Sequence, residues 1–214
     1  ASFCAEPYGG KETVMGEISR QDVRATAMHP QQRCTIASVS GHAMYERSNP
    51  YEEFFAGGKP PILSDQPKLR ALCYDAFAVL HSGQSKTPVF VAQRLNKALV
   101  ADADEKRTNR FYADARLPRA ERAELNDYKR SGYSRGHMAP AADMPTAQAM
   151  AQSFSMANMV PQAQQNNRGP WADIEQATRK YVMRSKGAVQ VYTGPMFPKR
   201  PRTIGDNQVW VPSQ

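Results

Sequence analysis

The sequence predicts an α+β protein in which antiparallel strand pairs and separate helices follow one another along a single chain. Three observations predict this. The apolar, β-prone positions Leu72, Cys73, Phe77, Val79 and Leu80 precede the turn-forming run Ser82 to Pro88, and Val89-Phe90-Val91-Ala92 follow it, which is the pattern of a hairpin. Trp171, Ile174, Ala177, Tyr181 and Val182 keep roughly helical spacing behind Pro170, a residue suited to a first turn because its missing N–H needs no partner there. Finally, Ala188-Val189-Gln190-Val191-Tyr192 reads as a strand that ends in the turn Gly194-Pro195.

The remaining elements follow in order. Residues 1–66 hold polar, turn-rich stretches (Pro7 to Gly10, Gly57 to Pro61) with weak periodicity, and read as an N-terminal extension with one or two short helices, for example around Ser48 to Ala56. Its role stays open between a packed accessory layer, a regulatory segment and a pro-segment. Residues 67–214 form the second unit. Within it, 101–119 is a charged loop ending near Leu117-Pro118, and 119–127 has helical composition over a short span. Residues 132–143 are rich in small side chains, 146–154 reads as a helix, and 161–169 as a loop. Gln208 to Val211 starts a strand close to Gln214, which leaves Trp210 exposed. The expectation is a domain lacking its C-terminal portion, with a second chain or a C-terminal fragment completing the fold.

Composition narrows the partners. With 28 Lys+Arg against 20 Asp+Glu, the net charge of +8 and pI near 9.5 draw the chain to polyanions, nucleic acid and anionic surfaces foremost. No apolar run approaches the roughly 18 residues of a membrane span, so no membrane partner is expected. Cys4, Cys34 and Cys73 lack Cys-x-x-Cys spacing, which argues against a structural zinc site. The start at Ala1 suits a mature exported chain. The expectation is therefore a secreted or periplasmic protein with one disulfide among the three cysteines.

The run Ser134-Arg135-Gly136-His137 carries the chemistry. Histidine accepts a proton near neutral pH, and a base with its ordinary pKa of about 6.5 predicts activity that falls on acidification. Arg135 offers a planar, permanently charged phosphate clamp, and Gly136 removes a side chain where the backbone bends or a substrate approaches. An Arg-Gly-His tripeptide alone is nonspecific, and on its own reads equally as an unrelated surface or core histidine beside an arginine.

The surrounding blocks are more specific: Gly132-Tyr133-Ser134-Arg135-Gly136-His137-Met138-Ala139-Pro140-Ala141-Ala142-Asp143, then Ser155 to Gln162, then Asn166-Asn167-Arg168-Gly169-Pro170-Trp171-Ala172-Asp173-Ile174-Glu175. From about Leu72 onward the sequence resembles the sugar-nonspecific DNA/RNA endonucleases with a ββα-metal active site, the endonuclease G-like family. The resemblance implies a central antiparallel β-sheet layer with helices packed on its faces, and a ββα-metal motif made of two extended segments and the helix from Pro170. It implies His137 as general base and Asn167, 30 residues later, as the metal ligand. Glu175, 8 residues beyond Asn167, would accept a hydrogen bond from a metal-bound water. The implied ion is Mg²⁺, with Mn²⁺ able to substitute. An upstream Arg against the phosphate would be Arg107, with Arg110 as the alternative. Ser134 departs from the commonest family form, which has Asp there, and so removes one carboxylate near Arg135.

The resulting expectation is an endonuclease that hydrolyses DNA and RNA, with His137, Arg107, Arg135 and Glu175 as catalytic residues and Asn167 on the metal. A homodimer and a protein inhibitor are further partners in view. The alternatives are a catalytically silent nucleic-acid-binding module and the same chemistry used as a toxin or effector. Asp143 reads first as holding the active-site loop together, with a contact to the metal's water shell as the alternative. His29, His42 and His81 lack ligand spacing, and Met138, Met144, Met150, Met156 and Met159 read as core. Arg168, Arg179, Lys180, Lys199, Arg200 and Arg202 form a candidate basic rim along a nucleic-acid backbone.

Overall fold

The computed structural model describes residues 2–7, 52–63 and 66–213, with the side chains of 2–7 excluded. His29, His42, Cys34 and residues 48–51 of the helical stretch expected around Ser48 to Ala56 lie outside the described residues.

The strands in chain order begin with β1 (Ser2–Pro7), β2 (Leu69–Cys73), β3 (Ala78–Ser82) and β4 (Thr87–Leu95). The short helix α1 (Lys97–Ala101) follows, N-capped by Asn96, whose side chain accepts from the Leu99 N–H at 2.9 Å. Next come β5 (Tyr133–His137), α2 (Ala147–Ser153), β6 (Met159–Ala163), α3 (Gln164–Arg168) and α4 (Pro170–Arg184). The last strands are β7 (Val189–Gly194), β8 (Thr203–Ile204) and β9 (Val209–Trp210). The large sheet has the order β1-β7-β4-β3-β2 with every neighbour antiparallel, and β5–β6 and β8–β9 form separate pairs. This is the α+β architecture with a central antiparallel layer that the resemblance implies.

The expected hairpin is present as β3–β4, but the apolar run 72–80 is two strands rather than one. Tyr74 to Phe77 form the reversal between them, closed by Tyr74 N–H donating to Phe77 O at 2.9 Å. Pro88 is tolerated inside β4 because it sits opposite His81, where the register shifts at a bulge.

Period-two alternation sends Leu72, Val79 and Val91 to one face, where Met138, Met144, Met150, Phe154, Val160 and Trp171 cover them. The other face presents Ala78, Leu80, Phe90 and Ala92, covered by Phe54 and Phe55. Two 3₁₀ turns, Glu52–Phe54 and Ala56–Gly58, hold these phenylalanines in place of the expected helix. Phe55 stacks on Tyr192 with centroids 6.0 Å apart, and the Tyr192 hydroxyl accepts from Ala56 N–H at 2.9 Å. Burying each phenylalanine contributes about 2–3 kcal/mol. The extension thus covers what would otherwise be an open apolar sheet face, and β1 adds the edge strand beside β7. Met138, Met144, Met150, Met156 and Met159 are all buried, as read from sequence.

Three expectations are corrected. Residues 119–127 give only 3₁₀ turns, Arg119–Glu121 and Leu125–Tyr128, the second closed by reciprocal bonds between Glu124 and Asp127. Residues 161–169 are not a loop, since the end of β6 and the whole of α3 lie there. Trp210 is not exposed: β9 pairs with β8, and the indole is half-buried edge-on to Phe197 at 5.5 Å. Buried Asp127 fastens this hairpin by accepting from Asn207 N (3.0 Å) and Asn207 Nδ2 (2.9 Å).

Candidate active site

Two strands and a helix converge on His137. β5 and β6 pair antiparallel, with His137 opposite Met159 and Gly136 opposite Val160. A side chain at Gly136 would collide with Gln162, since an added Cβ would lie 2.9 Å from that residue's Cβ, so glycine is required for the strands to close. Beyond His137 the chain is held by Asn158, which is fully buried. Its Oδ1 accepts from Ala139 N (2.9 Å), and its Nδ2 donates to Ala139 O (3.0 Å) and Ser153 O (2.9 Å). α4 starts at Pro170 and docks through Trp171, whose Nε1–H donates to His137 O at 3.2 Å. α3 packs against β5, β6 and α4, which brings the Asn167 segment to the same motif.

His137 is 7% exposed, and its Nε2 is sealed from solvent without a hydrogen-bond partner among the described residues. The imidazole lies edge-on to Phe154 (5.0 Å between centroids) and tilted against Phe111 (6.0 Å). Burial, and then the positive charge of Arg107, lowers its pKa from 6.5 to about 3. The ordinary histidine value assumed from sequence is therefore not kept, because the aromatic enclosure penalises the charged form.

Arg135 and His137 occupy alternate positions on β5 and share a face. The Arg135 guanidinium lies 4.8 Å from the Phe111 ring centre and 5.8 Å from that of Tyr128, and its buried Nε has no partner among the described residues. Arg107 lies over the Phe154 ring at 5.2 Å and is steadied by Nε donating to Asn109 Oδ1 at 2.7 Å. Its charge acts on both His137 and Glu175. Arg107 and Arg110 are both exposed, and of the two only Arg107 is among the charges that shift His137 and Glu175.

Glu175 sits one helical turn after Trp171 on α4. Burial, then the carboxylate of Asp143, raises its pKa from 4.5 to about 7, opposed by Arg179, the Trp171 indole N–H and Arg107. Asp143 itself is buried, accepts from Gln93 Nε2 (3.3 Å) and pairs with Arg179 (3.1 Å). Burial raises its pKa against the pull of Arg179. Asp143 holds its loop to β4 and α4, as read, whereas Arg179 is an ion-pair partner rather than a free member of a basic rim. Asn167 is half-buried, and its side chain makes no hydrogen bond among the described residues, while Asn166 is exposed and lines a neighbouring cavity with Tyr133 and Gln162. His81 is fully buried, with its pKa lowered by burial to about 4.

Arg107, Arg135, His137 and Glu175 are thus linked by shared rings and charges. Sequence reasoning assigned no role to Phe111, Phe154, Trp171 or Asn158, although the four-residue step from Trp171 to Glu175 placed both on one helix face.

Comparisons with known proteins agree with this geometry. A family model described as DNA/RNA non-specific endonuclease matches residues 63–214. The human mitochondrial nuclease EXOG is 36% identical over 140 residues, covering 64% of this chain and 37% of that protein. A mitochondrial nuclease of Saccharomyces cerevisiae is 36% identical over 130 residues (59% and 39%), and a nuclease of Nostoc sp. is 35% identical over 142 residues (65% and 50%). The chain thus spans half or less of the length of these relatives. A solved structure described as the EndoG/EndoGI complex superposes with a TM-score of 0.65 at 26% identity, covering 80% of this chain and 72% of that one.

Proposed function

Because the chain belongs to the DNA/RNA non-specific endonuclease family, we propose that it cleaves DNA and RNA internally by divalent-metal-assisted hydrolysis, with His137 as general base. The observation that carries the reading is the convergence of β5, β6 and α4 on His137, with Arg107 acting electrostatically on both His137 and Glu175.

The neutral imidazole favoured by burial is the form that accepts a proton from water, and with Nε2 sealed the accepting atom is Nδ1. A phosphate seated against Arg107 and Arg135 offsets their charge. This relieves one of the two causes that depress the basicity of His137. The donor set suits a hard cation. The Asn167 amide oxygen is neutral and unclaimed among the described residues, and Glu175 offers a carboxylate to a bound water, both hard oxygen donors. Mg²⁺, or Mn²⁺ in its place, would supply charge stabilisation at the scissile phosphate. Phosphate contacts without base contacts imply weak sequence preference and inhibition by salt.

Residues 67–214 would be the nuclease domain and the preceding segment an accessory layer, a reading supported by β1 on the sheet edge and by buried Phe54 and Phe55. One disulfide with Cys73 at one end belongs to the same reading and favours an oxidising, secreted or periplasmic setting. No helix of the described residues is long and apolar enough to cross a membrane. A protein inhibitor is a proposed partner because the structural neighbour is described in complex with one. The test is plasmid and RNA digestion with and without Mg²⁺, for the wild type and for His137→Ala. Loss of cutting in the mutant and without metal is expected, whereas full cutting by His137→Ala would overturn the assignment of the base.

A further inference from the structure

Arg107 and Phe111 reach the site on a strap, residues 102–118, that has no helix or strand of its own and only one isolated bridge, Tyr112 with Ser155. What fixes the strap lies away from His137. The Tyr74 hydroxyl donates to Asp114 Oδ2 at 2.6 Å and stands 2.9 Å from Ser155 Oγ. Asp114 Oδ1 accepts from Arg116 N (3.0 Å) and Nε (2.9 Å), and its Oδ2 from Arg116 Nη2 (2.7 Å). Arg116 also donates to Cys73 O at 2.8 Å and lies 4.5 Å over the Tyr74 ring. Tyr74 and Asp114 are both buried, at 6% and 4% exposure.

Burying a carboxylate is costly unless paired charge and hydrogen bonds offset the loss of water. Here burial pushes the Asp114 pKa up, and Arg116 together with Tyr74 outweighs it, so the carboxyl stays below its usual range. An apolar cluster would fill the same space without such directional bonds. The ionised one ties the strap at a single angle to the β2–β3 reversal on one side and to Phe154–Met156 on the other. On that second side, Tyr112 N donates to Phe154 O (3.3 Å) and Met156 N to Tyr112 O (2.8 Å). Phe111 lies three residues before Asp114, with its ring 5.0 Å from Phe154 and 6.0 Å from His137.

We infer that Tyr74 and Asp114 are positioning residues: their buried cluster with Arg116 holds the strap so that Arg107 and Phe111 stand over His137. The inference rests on the reading of Arg107 as the phosphate contact. Its consequence is that loss of the Tyr74 hydroxyl is felt through Arg107, although Tyr74 touches neither Arg107 nor His137 in any described contact.

The test is a double-mutant cycle on the full chain with Mg²⁺, using Tyr74→Phe, Arg107→Ala and the pair, with cutting rates read across a salt series. Misplacing a phosphate-binding group predicts a loss of roughly tenfold to a hundredfold for Tyr74→Phe, and a shallower salt dependence like that of Arg107→Ala. In the Arg107→Ala background the second change should add less than about twofold, because both act on one group. Wild-type cutting by Tyr74→Phe, or losses that multiply in full, would overturn the inference. Wild-type cutting by Arg107→Ala would instead remove the phosphate reading. The inference is then decided by hydrogen exchange of the Tyr112 amide: exchange faster in Tyr74→Phe with β3–β4 unchanged supports it, and unchanged exchange overturns it. Should Tyr74→Phe not fold, Arg116→Lys, which keeps the charge and breaks the fork on Asp114, is read by the same measurements and the same outcomes.

Discussion

Trp171→Phe isolates the tie between α4 and the strand that carries His137. The indole N–H is the donor to His137 O at 3.2 Å, and it also favours the charged form of Glu175 one turn later. Phenylalanine keeps an aromatic ring in the apolar cluster with Met138 and Val160 but cannot donate. A buried carbonyl left unpaired costs about 1–3 kcal/mol, and the smaller ring adds about 1 kcal/mol of lost packing. Global stability should therefore fall by about 2–4 kcal/mol, read as a lower urea midpoint with an unchanged slope.

The kinetic effect is separable from the stability effect. Freed from Trp171, the end of β5 can shift by a fraction of an ångström, and a displacement of that order at a general base lowers the turnover step by roughly tenfold to a hundredfold. Initial nicking of supercoiled plasmid, measured well below the melting temperature and at saturating Mg²⁺, should show the loss in kcat with KM nearly unchanged. The phosphate contacts proposed for Arg107 and Arg135 do not involve the indole. A Trp171→Phe enzyme that nicks within twofold of wild type while its urea midpoint falls would refute the argument that the bond aligns His137.

Three further outcomes follow from the same geometry. Arg107→Ala should weaken cutting by about tenfold or more and flatten its salt dependence, while Arg110→Ala stays near wild type; equal effects in a salt-series rate measurement would return the phosphate contact to either residue. In metal-free buffer the His137 ring should show no NMR titration between pH 7 and 5, because its pKa lies near 3. Its folded pKa is below the unfolded value of 6.5, so the folded state binds fewer protons, and this contribution to stability falls as pH drops from about 6.5 toward 3; an ordinary midpoint would contradict the enclosure by Phe111 and Phe154. Asp127→Ala removes the acceptor of Asn207 N, Asn207 Nδ2 and Glu124 N, which should cost about 3 kcal/mol and speed proteolysis within 203–210, checked by thermal melts and timed digestion.

The elements legible in the sequence are those whose signals are local. Thr146 caps α2 by accepting from Ala149 N at 3.1 Å, and Pro170 opens α4, where composition and spacing predict helices. β5 and β6 are different. Ser134-Arg135-Gly136 and Pro161-Gln162 have little strand propensity, and their pairing is braced where Asn158 bonds Ala139 just past β5 and Trp171 bonds His137 at its end. Residues 161–169 read as a loop for a similar reason, since Gln164 to Arg168 form a turn of helix only through packing on β5, β6 and α4. The candidate site residues come from the resemblance to the endonuclease family, which supplies the order and spacing of His137, Asn167 and Glu175. The electrostatics of the site were not legible, because the enclosure of His137 joins the 107–111 segment to Phe154 and β5, which come from separate parts of the chain.

That enclosure gives the site its direction. Without it, His137 would keep a pKa near 6.5 and be partly protonated beside two arginines, while a solvated Glu175 would ionise well below neutral pH. The structure reverses the order: His137 falls to about 3 and Glu175 rises to about 7. Both shifts have burial as their first cause, so both groups are held closer to neutral than water would leave them. A neutral imidazole and a carboxylate poised near neutrality, facing two permanently charged guanidiniums, leave a net positive field in a partly dry site. An incoming phosphate finds that field already in place and need not reorganise solvent to create it. This is the form of preorganisation expected of a group that stabilises developing negative charge. The same reasoning explains why Trp171, Tyr74 and Asp114 matter although none is proposed to carry a proton in the reaction. A field fixed in space is useful only if the strand, strap and helix that carry its sources keep their places.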